Sequence, residues 1–374
     1  MILIVARGLP SKKYKMNGIF EFDQANALSK QGLKVIYLAL DMRSILRWRN
    51  WGISRQKIEN LDVWTVNFPL GAIPRKIRSF LSSKILKKSY NKIVDKLGKP
   101  KLIHAHFTEP GFIASKLVAE IDIPLVITEH SSQINKKNIE PDLFQMAKVA
   151  YTTADQLIAV SPALCQRINE NFKVECTYIP NLVDLEIFSY SEFEEKEQFI
   201  FVSTGNLIKI KNMELTVRAF IKSFKDSKNV YLHIFGEGPE RENLENLIHN
   251  NNMENNIILR GLCSRQEIAN TLKKSSCFVL ASQSETFGVA YIEALAMGVP
   301  VIATKCGGPE TFVNSHNGVL VELNDQEALA TKMQAMYSNI ELYDRKSISD
   351  NIKKQFSAQA VAEQILDVYK KVLG

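Results

Sequence analysis

Two glutamates, Glu285 and Glu293, are the residues whose type and spacing point most directly to chemistry. A carboxylate accepts hydrogen bonds from paired hydroxyl groups, so the pair suits a ligand with several hydroxyls, such as a sugar or a ribose. Eight helical positions correspond to roughly 12 Å of rise, similar to the length of a sugar joined through a diphosphate to a nucleoside. Alternatively, Glu285 only complements a helix dipole and Glu293 is a solvated residue on a helix surface.

The elements that would position both acids form a strand, helix, strand unit. Residues 278–282 and 299–303 are apolar runs of strand length, with the helix between them. Ser284 and Thr286 are candidate N-caps, while Gly298 suits the residue past the helix C-terminus. The first backbone amides of a helix have no partner within it and favour an anion. Here they belong to Phe287, Gly288 and Val289.

This stretch, SETFGVAYIEALAMGVPVIAT followed by GGPE, resembles the E-x7-E signature of the retaining glycosyltransferases of family 4, which have the GT-B fold. The resemblance implies an α/β protein of two Rossmann-like domains, whose parallel sheets face a central cleft. It also implies transfer of a hexose, with retention of anomeric configuration, from a UDP- or GDP-sugar to a glycan or polyprenyl-linked acceptor. Such enzymes build bacterial cell-surface polysaccharide and lipopolysaccharide. The donor is a co-substrate, and we expect neither a further cofactor nor a metal ion.

Length and composition predict two domains. A chain of 374 residues with 45% hydrophobic residues can bury two cores of ordinary size. We assign an acceptor-binding domain to residues 1–187, because TYIPNLVDLEIF resembles the family's segment at the end of the first domain, and a nucleotide-sugar-binding domain to residues 188–354. The charged residues 191–198 are interpreted as a solvated linker. The last helix, residues 355–374, resembles the family's terminal helix, which packs back on the first domain.

The second domain is predicted to open with a strand, loop, helix unit that presents amides and a lysine to a phosphate. The family has Gly-Arg-Leu followed by Lys in this loop; Gly205 and Lys211 match, whereas Asn206 replaces the arginine. Because asparagine supplies no bidentate charge, diphosphate binding would depend more on Lys211 and the helix termini, with Lys209 as a compensating cation. The family also reads the nucleotide base with backbone near Leu262.

Two features of the first domain resemble family sites. Gly18 lies in the loop after the first strand, where the family has a glycine loop that faces the donor diphosphate; alternatively, it is a plain turn glycine. His130 follows the strand IPLVITEH and resembles the family's histidine beside the transferred sugar and acceptor; otherwise it is a core or loop histidine. His104 and His106 share one face of another strand. With Glu109 they could hold a metal, but such a pair more often forms a polar lining.

The predicted site combines these residues. Glu285, His130 and Lys211 are assigned as catalytic. Glu285 positions the sugar in a front-face mechanism without a carboxylate nucleophile, and Lys211 stabilises charge on the leaving diphosphate. Donor binding is assigned to Gly18, Gly205, Asn206, Lys211, Leu262, Glu285, Phe287, Gly288, Val289 and Glu293.

The net charge of +7 is concentrated in the first half of the chain, where residues 1–187 contain 27 Lys and Arg against 17 Asp and Glu. Residues 43–57 combine five basic residues with two tryptophans, and residues 75–99 combine nine basic residues with one acid and an apolar stripe. The stripe consists of Ile77, Leu81, Ile85, Ile93 and Leu97. This pattern predicts an anionic membrane surface as a partner. Alternatively, the stripe packs on the sheet and the lysines are solvated.

Other features bear on location and partners. No run reaches the ~18 apolar residues of a membrane span, and MILIVA has no basic region before it, so we interpret it as a first strand and not as a secretion signal. Five scattered cysteines predict free thiols in a cytoplasmic protein. The basic segments described above predict that it is peripheral to the inner face of the cell membrane. No nucleic-acid-binding motif accompanies the basic charge, so nucleic acid is not an expected partner.

Two other functions remain open from the sequence. A protein that binds sugar nucleotides without turnover would keep the same pocket, and Asn206 is the one residue that suggests it. A nucleotide-sugar epimerase can share the fold, but it would need acid and base groups on both sides of a sugar carbon. Release of free nucleoside diphosphate on addition of an acceptor separates a transferase from both.

Overall fold

The computed structural model describes residues 1–11, 14, 16–192 and 197–374. These residues divide into two compact units, one formed by Met1–Leu182 with Ala358–Gly374 and the other by Val183–Ser357. The division predicted from the sequence, after residue 187, falls slightly later in the chain. Part of the predicted linker, residues 193–196, lies outside the described residues.

In the first unit strands alternate with helices, except that the second, third and fourth strands follow one another directly. Its elements up to residue 182 are β1 (Ile2–Ala6), α1 (Ile19–Lys30), β2 (Val35–Asp41), β3 (Gly52–Ile58), β4 (Leu61–Asn67), α2 (Arg75–Leu97), β5 (Leu102–His106), α3 (Thr108–Val118), β6 (Leu125–Glu129), α4 (Pro141–Thr153), β7 (Gln156–Ala159), α5 (Pro162–Phe172) and β8 (Thr177–Tyr178). They form one eight-stranded sheet of order β3-β4-β2-β1-β5-β6-β7-β8.

The pairing of these strands follows from their composition. β1, β2, β5 and β6 are mainly apolar and buried at every position, as expected for parallel strands covered on both faces by helices. The exception is β3, which pairs antiparallel with β4 at the sheet edge and exposes its polar residues. Charged side chains on an edge strand discourage pairing with another chain. All other neighbouring strands in this sheet pair in parallel.

The second unit is a smaller α/β domain. Its strands and α-helices are β9 (Phe199–Thr204), α6 (Met213–Phe224), β10 (Val230–Phe235), α7 (Arg241–Asn250), β11 (Ile257–Gly261), α8 (Arg265–Leu272), β12 (Cys277–Leu280), α9 (Val289–Ala296), β13 (Val301–Thr304), β14 (Gly318–Val321), α10 (Gln326–Ser338) and α11 (Arg345–Phe356). Short 3-10 turns occur at Lys209–Lys211, Pro309–Thr311 and Ile340–Leu342. The parallel sheet has the order β11-β10-β9-β12-β13-β14.

The strand order of the second unit reverses at β9, because β10 and β11 extend from one side of it and β12 to β14 from the other. In open parallel sheets, ligands bind outside the carboxyl ends of the strands at such a switch point. The loops that follow β9 and β12 carry Lys211 and Glu285, so the pairing of these two strands brings the loops together.

The final helix, α12 (Ala358–Leu373), belongs to the first unit. Its apolar residues Val361, Ile365 and Val368 are buried in a cluster that includes Leu28 of α1 and Ile4 of β1. The sequence-based start of this helix at residue 355 is wrong. α11 continues to Phe356, and the extended backbone of Ser357 (φ −63°, ψ 155°) separates the two helices.

Helix α2 buries a different face from the one that the sequence predicted. Of the predicted stripe, Ile93 is buried, whereas Ile77 is exposed and Leu81, Ile85 and Leu97 are only partly covered. The buried positions include Ser79, Ser82 and Ser89, whose small side chains let neighbouring elements approach closely. Ser79 and Ser89 satisfy their hydroxyls by donating to the carbonyls of Arg75 and Ile85. Among the described residues, no helix combines the length and apolar character needed to cross a bilayer.

Candidate functional site

The helix of the E-x7-E stretch, α9, begins at Gly288. This residue is its N-cap, with φ 100° and no side-chain cap, and a Cβ there would lie 2.7 Å from the Tyr291 ring. The predicted caps, Ser284 and Thr286, are therefore wrong, because both lie in the loop before the helix. Gly298, with φ 75°, follows the helix C-terminus as expected. The hydroxyl side chains of Ser284 and Thr286 are typical of N-caps, but the backbone at the N-cap of α9 is left-handed, which favours the glycine at 288.

The start of α9 leaves backbone donors available. Within the described part of the chain, the amides of Phe287, Gly288 and Val289 have no backbone hydrogen-bond acceptor. The side chain of Phe287 is buried against Phe312 and Phe356, which fixes the loop that carries these amides. Fixed amides at the positive end of a helix dipole are suited to hold a phosphate.

Glu285 lies beside these amides and is held by two donors. The ammonium group of Lys211 and the hydroxyl of Ser282 each lie 2.6 Å from Glu285 Oε1. The backbone of Glu285 is bridged to the next loop, since its amide donates to Cys306 and its carbonyl accepts from Gly308. Glu285 is therefore not helical, and the 12 Å separation estimated from helical spacing does not apply.

The carboxylate of Glu285 is largely shielded from solvent. Glu285 is 8% exposed. Burial, together with the nearby carboxylate of Glu285, raises the pKa of the Cys306 thiol to about 12 and that of the Tyr291 hydroxyl well above its ordinary value. Both groups therefore stay protonated at neutral pH. Lys211 is the cation in direct contact with the Glu285 carboxylate.

The loop after β9 positions Lys211. Lys211 ends the 3-10 turn, and the carbonyl of Ile210 accepts a hydrogen bond of 2.8 Å from the amide of Gln283 in the β12 loop. Gly205 (φ 156°) opens the loop and lies against Gly236, where a Cβ would come within 1.9 Å of the Gly205 carbonyl oxygen. The side chain of Asn206 is exposed. The structure thus brings Lys211 and Glu285 together, but it gives Asn206 no comparable contact.

Glu293 has a partner that sequence reasoning missed. Arg265, the first residue of α8, donates to Glu293 Oε1 at 3.3 Å and approaches Asp184 Oδ2 at 3.6 Å. Its guanidinium also lies 5.3 Å from the centre of the Phe188 ring. The sequence predicts Asp184 in the first domain, whereas the structure has it in the second unit together with Phe188. The capping motif Ser264 to Glu267 could have identified the helix start, but not its contact with Glu293.

Leu262 lies in the loop between β11 and α8. Its side chain is 70% exposed, so no packing within the second unit explains a leucine there. The position is compatible with the expected backbone contact to a nucleotide base, which needs no particular side chain.

In the first unit, Gly18 has a clear backbone role. It is the N-cap of α1 with φ 74°, and a Cβ there would lie 2.2 Å from the Gly8 carbonyl oxygen. The Tyr37 hydroxyl donates to the same oxygen at 2.7 Å. Gly18 therefore lets the backbone of Gly8 pass directly over the start of α1, whether or not a phosphate binds there.

His130 belongs to a buried chain of histidines. Its Nε2 lies 3.0 Å from His106 Nδ1, while His104 contacts the Tyr369 hydroxyl of α12 at 2.6 Å and Thr128 Oγ1 at 2.7 Å. Burial lowers the pKa of both His130 and His104 to about 3, so both are neutral at physiological pH. Across the described residues, no group of three His, Cys, Asp or Glu side chains is arranged to hold a metal.

Glu129 fixes the backbone at His130. Its buried carboxylate accepts from the hydroxyls of Thr108 and Tyr151, each at 2.6 Å, and from the amides of His130 and Ser131 at 2.9 and 2.6 Å. Four donors satisfy both oxygens of the carboxylate, which compensates for its burial. The sequence indicated only that Glu129 ends a strand.

Comparison with known proteins matches almost the whole chain to two family descriptions. "Glycosyltransferase Family 4" matches residues 22–187, and "Glycosyl transferases group 1" matches residues 186–355. An uncharacterized glycosyltransferase of Methanocaldococcus jannaschii is 31% identical over 278 residues, covering 72% of this chain and 75% of the relative. N-acetyl-alpha-D-glucosaminyl L-malate synthase of Bacillus anthracis is 25% identical over 291 residues, covering 73% and 75%.

Among solved structures, sucrose-phosphate synthase from Thermosynechococcus elongatus superposes with a TM-score of 0.80 at 20% identity, covering 99% of this chain and 98% of that one. This likeness confirms the predicted GT-B fold. Other solved structures of similar fold contain UDP. Some relatives are named for lipopolysaccharide core synthesis or for transfer to a diphospho-undecaprenol-linked sugar.

Proposed function

The chain belongs to the group 1 and family 4 glycosyltransferases, and on that premise we propose that it transfers a hexose from a nucleotide-diphosphate sugar to a glycan or polyprenyl-linked acceptor. We further propose that the anomeric configuration is retained, and that the product enters bacterial cell-surface polysaccharide. Relatives of this chain are glycosyltransferases of cell-surface polysaccharide and lipopolysaccharide synthesis, which supports the assignment of the pathway class.

The observation that carries the proposal is the contact of Lys211 with Glu285 beside the first amides of α9. When the bond between the sugar and the diphosphate breaks, negative charge develops on the bridging oxygen. A lysine and fixed backbone amides stabilise that charge without reorganisation, and their effect is large where water is excluded. Glu285, oriented by Lys211 and Ser282, accepts hydrogen bonds from the hydroxyls of the transferred hexose.

In the same proposal, Glu293 binds the ribose of the nucleotide. Its carboxylate is oriented by Arg265, which in turn is held near Asp184. An ionised carboxylate has about four lone-pair sites on its two oxygens, so pairing with an arginine is compatible with accepting from a ribose diol. The backbone near Leu262 would contact the base, and the amides of Gly288 and Val289 would contact the diphosphate.

The neighbours that contain UDP favour a UDP-sugar over a GDP-sugar as donor. For the acceptor, the relative named for a diphospho-undecaprenol-linked sugar favours a lipid-linked glycan. The first unit supplies surface features that suit work at a membrane. Leu46 and Trp48 are strongly exposed apolar residues within a basic segment, and Phe80 of the basic helix α2 is also exposed.

The experiment that tests the function is incubation of the full chain with UDP-sugars, with and without lipid-linked glycans extracted from bacterial membranes. A transferase releases UDP only when an acceptor is added, and NMR of the product reports the anomeric configuration. Isomerisation of the donor alone would instead identify an epimerase. Tight UDP-sugar binding without any turnover, across a broad set of acceptors, would identify a binding protein.

A further inference from the structure

A basic cavity lies at the carboxyl edge of the first unit's sheet, and the proposed function does not yet account for it. The cavity measures about 410 Å³. Arg7 directly follows β1, Arg43 follows β2, and Glu109 lies near the start of α3, which follows β5. Because β2, β1 and β5 are neighbours in the sheet, residues far apart in the chain meet around one space. The guanidinium groups that line it belong to Arg7, Arg43, Arg47 and Arg78.

The arginines are held in place by acids that only partly neutralise them. Arg78 makes a bidentate contact with Glu109 at 2.8 and 3.1 Å. Arg43 makes a bidentate contact with Asp41, at 2.7 Å to one oxygen and 2.5 Å to the other. Ion pairs of this kind fix the planar guanidinium groups in one orientation, which reduces the entropy lost when a ligand binds.

The balance of charge around the cavity is positive. Arg49 shares the Asp41 carboxylate with Arg43, and Arg7 contacts Glu21 at 3.3 Å. Arg47 is exposed, and the described residues give it no carboxylate partner. Four arginines and Glu109 line the cavity; with Arg49, Asp41 and Glu21 immediately behind them, the cluster has five arginines against three carboxylates, an excess of two positive charges. A dianion with several acceptor oxygens matches that excess and the fork geometry of arginine.

We infer that this cavity binds a phosphate or diphosphate group of the acceptor substrate. The inference rests on the proposed function, because it treats the ligand of the first unit as the acceptor. Apolar side chains, including Met42 and Ile113, form another part of the cavity wall. The part of the acceptor that is attached to the phosphate can therefore pack against apolar side chains. The chemistry is the same whether the phosphate belongs to a lipid-linked glycan or to a water-soluble sugar phosphate.

The three tryptophans provide a readout that is specific for this unit. All of them, Trp48, Trp51 and Trp64, lie in the first unit, and Trp51 is 5.4 Å from the Arg49 guanidinium. Titration of the full chain with inorganic pyrophosphate is therefore expected to change tryptophan fluorescence. The titration uses the Lys211→Ala protein, because this substitution weakens the phosphate site proposed at the start of α9. The fluorescence change then reports binding in the cavity of the first unit.

In the Lys211→Ala protein, Arg47→Gln is expected to weaken pyrophosphate binding about tenfold, because one charge-assisted contact is lost. Arg167→Gln, an equal change on the exposed surface of α5 in the same unit, is the matched control and should leave binding unchanged. Arg47 is exposed, so its replacement does not threaten folding; Arg47→Glu should weaken binding further. Equal affinity in the Arg47→Gln and Arg167→Gln proteins, or no pyrophosphate binding at all, would overturn the inference.

Two further ligands separate the sources of the phosphate. Farnesyl diphosphate that binds tighter than pyrophosphate indicates a lipid-linked acceptor, and equal affinities indicate a water-soluble one. Malate that binds tighter than pyrophosphate would overturn the phosphate assignment in favour of a carboxylate. UDP binding by the unsubstituted chain is measured in parallel by calorimetry. If UDP binds while pyrophosphate gives no fluorescence change, only this inference fails; if UDP does not bind, the proposed function fails.

Discussion

Lys211 and Glu285 are 74 positions apart in the chain, yet the ammonium group and the carboxylate meet at 2.6 Å because β9 and β12 are neighbours in the sheet. Each residue orients the other at the carboxyl edge of the second unit. In the proposed function, the pair therefore offers a cation to a diphosphate and a carboxylate to a sugar from one contact.

Replacement of Lys211 by alanine is expected to weaken UDP binding by about 10- to 100-fold, because a charge-assisted hydrogen bond is lost and the Glu285 carboxylate would then repel the diphosphate. Calorimetric titration with UDP measures the change. Lys209→Ala is the matched control, since Lys209 belongs to the same 3-10 turn but is exposed. Equal losses in the two variants would mean that the general positive charge of the turn, and not the contact with Glu285, binds the nucleotide.

Glu293 is expected to discriminate ribose from deoxyribose. Loss of the 2′-hydroxyl leaves a carboxylate oxygen without its partner, so 2′-deoxy-UDP should bind about tenfold more weakly than UDP. In the Glu293→Gln and Arg265→Gln proteins, the ratio of the Kd for 2′-deoxy-UDP to the Kd for UDP should fall towards one. Arg265→Gln should have this effect because Arg265 orients the Glu293 carboxylate. Glu245→Gln, a change on the exposed surface of α7, should keep the wild-type ratio. An unchanged ratio in Glu293→Gln would remove Glu293 from the ribose site.

The buried histidines make the first unit sensitive to acid. Burial holds the pKa of His104 and His130 at about 3 in the folded state, against an ordinary value of 6.5. Below pH 6.5 the unfolded chain binds protons that the folded chain does not. The free energy of unfolding therefore decreases as the pH is lowered from 6.5 to about 3. Each such histidine contributes about 1.4 kcal/mol per pH unit in that window.

Urea unfolding followed by tryptophan fluorescence, which reports the first unit, measures this slope between pH 6 and pH 4. The His130→Gln protein should have a shallower slope than the unsubstituted chain. His316→Gln, a change at an exposed histidine of the second unit, controls for the chemistry of the substitution. Parallel slopes for the His130 variant and the unsubstituted chain would contradict a neutral, buried His130.

The proposed membrane association would depend on exposed apolar side chains of the basic segment at residues 43–57. The double variant Leu46→Ala, Trp48→Ala removes two large side chains that are 89% and 70% exposed, so folding is unaffected while burial in the lipid interface is lost. Flotation with vesicles containing phosphatidylglycerol at low salt should recover at least tenfold less protein. Leu342→Ala, at a 76% exposed site of the second unit, should float like the unsubstituted chain. Absence of flotation for the unsubstituted chain would refute association.

Local patterns in the sequence were sufficient for the fold class and for part of the site. Apolar runs of strand length predict strand, helix, strand units, and the resemblance to a known family implies two domains with parallel sheets; the structure confirms both. The amides at Gly288 are predicted because glycine and proline mark the ends of the helix, whereas Lys211 is predicted because it follows a strand and matches the family's lysine in this loop. The start of α9 was misassigned because Ser284 and Thr286 have cap chemistry but lie in a loop bridged to Gly307.

Contacts between distant segments could not be derived from the sequence. Arg265 and Glu293 are 28 positions apart and meet only through the tertiary structure of the second unit, and no local pattern encodes that contact. The packed face of α2 was also missed, because hydrophobicity points to isoleucines while close approach of neighbouring elements requires the serines at 79, 82 and 89. Both depend on tertiary geometry.

The position of α12 has a consequence for synthesis on the ribosome. The helix that completes the apolar cluster around α1 follows the whole of the second unit in the chain. At about 5–20 residues per second, translation of the intervening segment takes on the order of ten to thirty seconds. During that interval the nascent first unit has an uncovered apolar face, so it is a substrate for chaperones until its last helix emerges.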